Sequence, residues 1–519
     1  MTKFSLNDPS VVVVIGSGAG GGTVSDILSN NGINVVCLEA GKRLDLADIV
    51  TNEAEMFGKI TWLDERQGSG IAPPPFPVWN CKTVGGTTLH WTATSVRLLE
   101  HEFNAHSHYG DIADTTLVDW PVTLAELEPF YAAAENRLGV TGTNNIERLP
   151  GNNNYLVFEA GAKQCGYKEI NTGNLAINSR PRDGRGSCLQ LGFCTSGCAV
   201  GAKWSSLYTD IPSAEQSGHF ELRTESMAVK VNHDNKGKVT GVDYLDDNGN
   251  RHTQSARAVC IAGNAVETTR LLLNSRSEQF PDGLANHSGQ VGKNYMRHLM
   301  AGVVGIMPGR VNLHRGAHQA GIIHDERYHD DDKRGFFGGL LLETVNFTPE
   351  SMARFLRTGG WGNTYAKLLE QYDRMAAMLI VGEDPPMETN SITLHLTRKD
   401  RYGLPVPVVH YEHHDNSKRM LRYGLERGRR IYEALGAEQV LEMVDVFPAT
   451  HNMGTARMGN DPAASVCNHW GQTHDLANLF ISDGSLFPTS GCANPTLTII
   501  ALALRQAEYL TSLIRSDSI

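Results

Sequence analysis

The feature that most constrains this chain lies near its start. Val11-Val12-Val13-Val14-Ile15 is an unbroken β-branched run, the composition of a parallel strand buried on both faces. It leads directly into Gly16-Ser17-Gly18-Ala19-Gly20-Gly21. Residues 23–29 follow with Val24, Ile27 and Leu28 at helical spacing, and Asn31-Gly32 stops the helix. Residues 33–38 read as a second strand closing on Glu39. Strand, glycine turn, helix, strand, acid is the βαβ unit that binds a dinucleotide. Gly16 makes the tight turn, Gly18 admits a pyrophosphate, and Gly21 lets helix and strand pack, so the diphosphate sits on the helix N-terminus. Glu39 suits an unphosphorylated ribose, hence FAD or NAD rather than NADP. The motif does not choose between those two.

At 519 residues the chain exceeds one ordinary core, so two closely joined domains are expected. Residues 60–95, rich in Gly and Pro, read as an extended segment over a ligand. Residues 99–180 carry helices, notably 124–138. Residues 219–262 alternate as strands, with Asp246-Asp247-Asn248-Gly249 as a hairpin turn. Residues 259–262 then feed Gly263 and a helix over 266–273, another α/β step. Residues 300–445 are less regular, above all 309–375, and read mainly as a substrate-side domain. The C-terminal helix over 496–510 returns to the first domain. No internal repeat is present.

The net charge of −11 argues against nucleic acid as a partner, because no basic field exists to release phosphate counterions. No run of eighteen apolar residues occurs, so no transmembrane span is expected. Residues 1–10 are polar and do not read as a signal peptide. Nine cysteines, an odd count in a long chain, disfavour a disulfide framework. Cys37, Cys81, Cys165, Cys260, Cys467 and Cys492 are scattered and read mostly as buried thiols. Cys188, Cys194 and Cys198 instead fall within eleven residues among Gly192, Gly197 and Gly201. Zinc would want a fourth ligand, absent at finger spacing. Three thiols suit an iron–sulfur cluster lacking one iron, [3Fe–4S], since a cubane takes four.

Gly85-Gly86-Thr87-Thr88-Leu89-His90-Trp91, some seventy residues past the first motif, resembles the flavin-lining segment of the glucose–methanol–choline oxidoreductases. So do later blocks in the family's order: Asp119-Trp120-Pro121, Glu267-Thr268-Thr269-Arg270, Val291-Gly292-Lys293-Asn294, Asp400-Arg401-Tyr402-Gly403, and Ser482-Asp483-Gly484-Ser485. The resemblance implies an α/β fold, with a Rossmann-like FAD-binding domain and an inserted α+β substrate-binding domain. The FAD domain is expected at 1–100, 186–300 and 446–519, and the substrate domain at 101–185 and 301–445. The resemblance sets Gly86, Thr87, His90, Val229, Ala262, Asp483, Asn494 and Thr496 beside the flavin nucleotide, together with Gly16, Gly18, Gly21 and Glu39. In some relatives the histidine matching His90 is bonded to the flavin; non-covalent FAD is expected here.

His451-Asn452-Met453-Gly454-Thr455-Ala456-Arg457-Met458-Gly459 resembles the family segment whose first histidine is the catalytic base. Gly491-Cys492-Ala493-Asn494-Pro495-Thr496 resembles the one holding its partner. Alcohol oxidation removes a proton from oxygen and a hydride from carbon. A histidine can take the proton, and Asn494 can orient the hydroxyl. The cysteine spacing also resembles iron–sulfur sugar dehydrogenase subunits, with Ala199 where a proline is expected. The expectation is therefore a dehydrogenase of a sugar or glycoside, glucoside 3-dehydrogenase first and glucose C1 oxidation second. Electrons would leave through the cluster to a cytochrome c. Resemblance further implies periplasmic export with a small signal-bearing partner, a cytoplasmic enzyme being the alternative. The rivals are a non-sugar alcohol oxidase without a cluster, a pyranose-oxidase-like enzyme, and a non-catalytic flavin electron-transfer protein.

Overall fold

A computed structural model describes residues 3–73, 76–328, 332–356 and 361–519. The polar start over 1–10 and the irregular stretch over 309–375 thus fall partly outside the described residues. The β-branched run forms the strand Val12–Ile15, buried throughout. It pairs in parallel with Val35–Leu38 on one side and Ala258–Ile261 on the other. Phe220–Arg223 and Leu479–Ile481 complete a five-stranded parallel sheet. The inner strands read VVVI, VVCL and AVCI and are wholly buried, as a sheet covered on both faces requires.

The first helix spans Ala19–Asn30 and so begins inside the glycine turn, earlier than its apolar spacing indicates. Close approach explains this. A Cβ on Gly20 would stand 1.6 Å from the Ser482 carbonyl oxygen, and one on Gly21 2.0 Å from that of Gly16. Packing here outweighs the poor helix propensity of glycine. The expected hairpin is present as a three-stranded antiparallel meander, Met227–His233, Val239–Leu245 and Arg251–Ser255. Helices Leu124–Leu138 and Asn264–Asn274 also form where expected.

The C-terminal helix extends over Thr496–Arg515. Contrary to the reading from apolar runs alone, it is long and apolar enough to cross a membrane, with mean hydropathy 1.3 over its best window. It packs against Ala19–Asn30 and Leu124–Leu138 instead, and 67% of that window is buried inside the protein. It is a core helix.

Residues 300–445 depart most from expectation, because they are regular. Gln439–Val444, Leu299–Ile306, Met375–Gly382, Leu340–Thr344, Ile322–Ile323 and Ile170–Asn171 form, in that order, a six-stranded antiparallel sheet. The helix Asp415–Glu433 covers one face. Both faces of the central strands are buried, so LMAGVVGI and MAAMLIVG show no apolar–polar alternation. Their glycines let the helix approach: a Cβ on Gly305 would stand 2.7 Å from the Tyr432 ring. The other face looks towards a large cavity.

Candidate active site

That cavity, of about 910 Å³, lies between the parallel sheet and the six-stranded one. Gly16, Gly18 and Glu39 line it, as do Gly86, Thr87, His90, Val229 and Ala262, and His451, Asp483, Asn494 and Thr496. Gly21 does not; it sits behind the turn, packed on Gly16 and Ala262. Nearly every residue singled out in the sequence is therefore gathered around one space. Cys188, Cys194 and Cys198 are not. They border a separate cavity of about 40 Å³, although Thr195 and Ser196 of the same loop line the large one.

The dinucleotide end is held by short backbone contacts. Gly16 has φ +97, and a Cβ there would meet the Ala262 carbonyl oxygen at 2.4 Å. Only glycine fits that position. Glu39 is buried at the end of its strand. Its Oε2 accepts from Ser17 N at 3.1 Å and Ser17 Oγ at 2.7 Å, and its Oε1 from Gly41 N at 2.8 Å. Desolvation raises its pKa, against these hydrogen bonds. Gly86 closes on Gly18 so tightly that a Cβ would stand 3.1 Å from the Gly18 Cα. Asp483 accepts from Asn264 N at 2.9 Å and Thr268 Oγ1 at 2.6 Å, tying the C-terminal turn to the second α/β step. A glycine-lined cradle at a helix N-terminus, with a carboxylate at the next strand end, fits FAD.

His90 stacks on Trp79, centroids 4.6 Å apart. A carbonyl cannot donate, so His90 Nε2 donates to Trp79 O at 3.0 Å. Burial pushes its pKa down to about 4.

The end of the cavity that holds His451 contains a residue that sequence reasoning missed. His451 Nδ1 lies 3.0 Å from His298 Nδ1. His298 Nε2 faces Ser490 O at 3.3 Å and must be its donor. Burial holds the His298 pKa down at about 4, so its Nδ1 carries a lone pair at neutral pH. The proton between the rings therefore belongs to His451 Nδ1, a tautomer assigned from the hydrogen-bond chain. His451 Nε2 is left unprotonated and has no partner among the described residues. Desolvation, then the charges of His298 and His90, keeps His451 well below its ordinary pKa. It is a neutral base aimed into a cavity. His298 holds φ +55, a backbone region side chains rarely adopt. It lies four residues past the Val291–Asn294 block, and that nearness was the available signal.

Asn494 is 4% exposed, and its Oδ1 is covered and has no hydrogen-bond partner among the described residues. Its amide stands beside Glu343, a carboxyl that burial pushes up to about 7. Glu343 Oε2 accepts from Gln319 Nε2 at 2.5 Å, and Gln319 Oε1 accepts from Thr94 Oγ1 at 2.8 Å and from Thr92 Oγ1. A lone acid in the apolar strand Leu340–Thr344 was the sequence signal for this network.

The thiols of Cys188, Cys194 and Cys198 are free and partly buried. Gln190 N donates to Cys188 Sγ at 3.4 Å and Lys203 N to Cys198 Sγ at 3.5 Å. Lys203, 1% exposed, donates to the carbonyls of Leu89, Trp91 and Cys194 at 2.7, 2.8 and 2.5 Å. Among the described residues, no three His, Cys, Asp or Glu side chains stand in the geometry of a metal-ion site. Of the scattered cysteines five are buried, whereas Cys165 is exposed: it caps the C-terminus of the helix Asn153–Gln164 instead of facing the core.

A dinucleotide cradle joined to a neutral histidine base over one cavity suits a dinucleotide-dependent oxidoreductase of alcohols. Comparison with known proteins agrees. Family models described as GMC oxidoreductase match residues 19–300 and 386–503. The chain is 33% identical to the 2-methyl-1,2-propanediol dehydrogenase of Mycolicibacterium austroafricanum, over 97% of this chain and 95% of that one. It is 30% identical to the fructose dehydrogenase large subunit of Gluconobacter japonicus, over 96% and 97%. Its fold is shared by pyridoxine 4-oxidase from Mesorbium loti, with TM-score 0.71 at 17% identity over 96% and 98% of the chains. The chain belongs to the glucose–methanol–choline oxidoreductase family, FAD-dependent enzymes acting on CH–OH donors.

Proposed function

We propose that this protein is a dehydrogenase of sugars or glycosides, with the oxidation of a glucoside's C3 hydroxyl to the ketone as its leading activity. The observation that carries the chemistry is the bare His451 Nε2 in a cavity that Asn494 also lines. FAD, when bound, supplies the acceptor for a hydride. His451 Nε2 takes the hydroxyl proton, and the resulting imidazolium donates through Nδ1 to His298. Asn494, which lines the same cavity, holds the substrate so as to fix which C–H is presented. The sugar reading is supported by the likeness to a fructose dehydrogenase subunit and to the gluconate 2-dehydrogenase flavoprotein of Pantoea cypripedii, 26% identical. Anaerobic mixing with a glucoside should bleach the flavin and yield a keto sugar identifiable by mass. Unreacted glucosides would refute the sugar reading.

A [3Fe–4S] cluster held by Cys188, Cys194 and Cys198 would accept single electrons and favour a dehydrogenase over an oxidase. Their shared small cavity and the backbone N–H groups aimed at Cys188 and Cys198 support this reading. Iron and acid-labile sulfide analysis tests it, and Cys194→Ser should abolish both signals while substrate still reduces the flavin. Protein without iron would overturn the cluster. Export with a signal-bearing partner and a cytochrome c acceptor belong to the same proposal.

A further inference from the structure

The half of the cavity beneath the six-stranded sheet is apolar to a degree that a free sugar does not require. Met300, Leu379 and Val381 project into it from the two central strands, and Val345 follows the third. Beyond them stand three aromatic rings. Phe355 and Phe447 lie 4.8 Å apart, Phe347 and Phe355 5.2 Å, and Phe347 and Phe447 stack at 6.4 Å with planes 12° apart. Phe447 is four residues before His451, so this aromatic wall adjoins the base.

The polar atoms of this half are few, and most are already engaged. Gln319 uses its oxygen for Thr92 and Thr94 and its nitrogen for Glu343. Ser351 Oγ donates to Glu53 Oε2 at 2.5 Å. His451 Nε2 remains open, whereas Asn494 Oδ1 and the Nδ1 of His318, a ring 5% exposed and set edge-on to Phe347, are unpartnered among the described residues but covered by their neighbours. Thr450 and the exposed Glu350 and Arg354 also line the cavity. These few groups can serve the reacting hydroxyl and one or two neighbours. Further hydroxyls pressed against Phe347, Phe355 and Phe447 would be buried unpaired, which is unfavourable.

We propose that Phe347, Phe355 and Phe447 form a subsite for an apolar aglycone, preferentially a flat aromatic one. The substrate is then a glycoside that presents a sugar hydroxyl to His451 and Asn494 and stacks its non-sugar end on the three rings. This rests on the sugar reading above and adds to it the chemistry of the other half of the molecule. Aromatic faces grip flat rings through offset stacking and burial, and the rest of the substrate gains by positioning the reacting carbon.

The test compares glucose, methyl β-glucoside, octyl β-glucoside and phenyl β-glucoside as reductants of the purified holoenzyme, read as kcat/KM with a small dye acceptor. Phenyl β-glucoside should exceed methyl β-glucoside by about 10-fold or more, a ring offering more contact than the single methylene that hydrophobic pockets discriminate. Octyl should fall between. Phe355→Ala should bring the phenyl-to-methyl ratio towards unity. The wild-type series decides the matter even if that variant fails to fold. A wild-type ratio near one, or a preference for free glucose, overturns the subsite. If no glucoside reacts, 2-phenylethanol and ethanol take their place. A phenyl preference there keeps the subsite and removes the sugar, and no preference removes both.

Discussion

His298→Phe isolates the contribution of the ring behind the base. The substitution leaves His451 in its cavity and removes the acceptor at its Nδ1, along with the donor to the Ser490 carbonyl. Before reaction that hydrogen bond joins two neutral rings, worth about 0.5–1.5 kcal/mol net. Once His451 holds the alcohol proton the donor is cationic, and such bonds are worth about 1.5–3 kcal/mol. Only the difference, about 1–1.5 kcal/mol, bears on rate. Each ~1.36 kcal/mol is tenfold, so flavin reduction should slow by about 10-fold, with FAD retained. Stopped-flow reduction reads this directly. A pH profile separates positioning from general disturbance. His451 works when unprotonated, so activity is present above its pKa and lost as pH falls through it. Its depressed pKa keeps the wild-type rate flat down into the acid range. His298→Glu sets a carboxylate against Nδ1, which favours the imidazolium, so the acid limb should move to higher pH. Glu102, whose charge reaches His298, and His90, whose charge reaches His451, are unchanged in both variants. An unaltered reduction rate in His298→Phe, together with an unmoved limb in His298→Glu, would refute the relay.

Four further outcomes are expected. His451→Ala should slow flavin reduction by about 10²–10⁴ and Asn494→Ala by less, both measured by stopped flow with FAD still bound. Gly16→Ala forces a side chain into φ +97 against the Ala262 carbonyl, so the purified protein should lose its flavin absorption. Acid precipitation should release the yellow colour, because His90 Nε2 is committed to the Trp79 carbonyl; colour retained by the pellet would mean a covalent link. Lys203→Met strips three buried carbonyls of their donor and should cost about 3 kcal/mol or more, read as a fall in the urea midpoint.

The dinucleotide cradle was legible in the residues because it is built locally. A buried strand, a turn that only glycine can make and a helix entered from it occupy thirty consecutive positions, and each step leaves its mark on residue type. The same holds for the hairpin at residues 246–249 and the helix Leu124–Leu138. His451 and Asn494 were proposed from the blocks around them, since a histidine alone does not announce its role, and the structure sets both around one cavity. The six-stranded sheet was not legible: its central strands are buried on both faces and carry Ala and Gly against the helix Asp415–Glu433, which erases the alternation that marks a strand. Nor did any spacing join His298 to His451 or Glu343 to Asn494, separated by some 150 residues each. Their protonation depends on burial and on which nitrogen a distant carbonyl occupies, and neither exists until the two sheets close on the cavity. Chemistry written in one stretch of chain can be read there; chemistry made by desolvation and long-range pairing belongs to the tertiary structure.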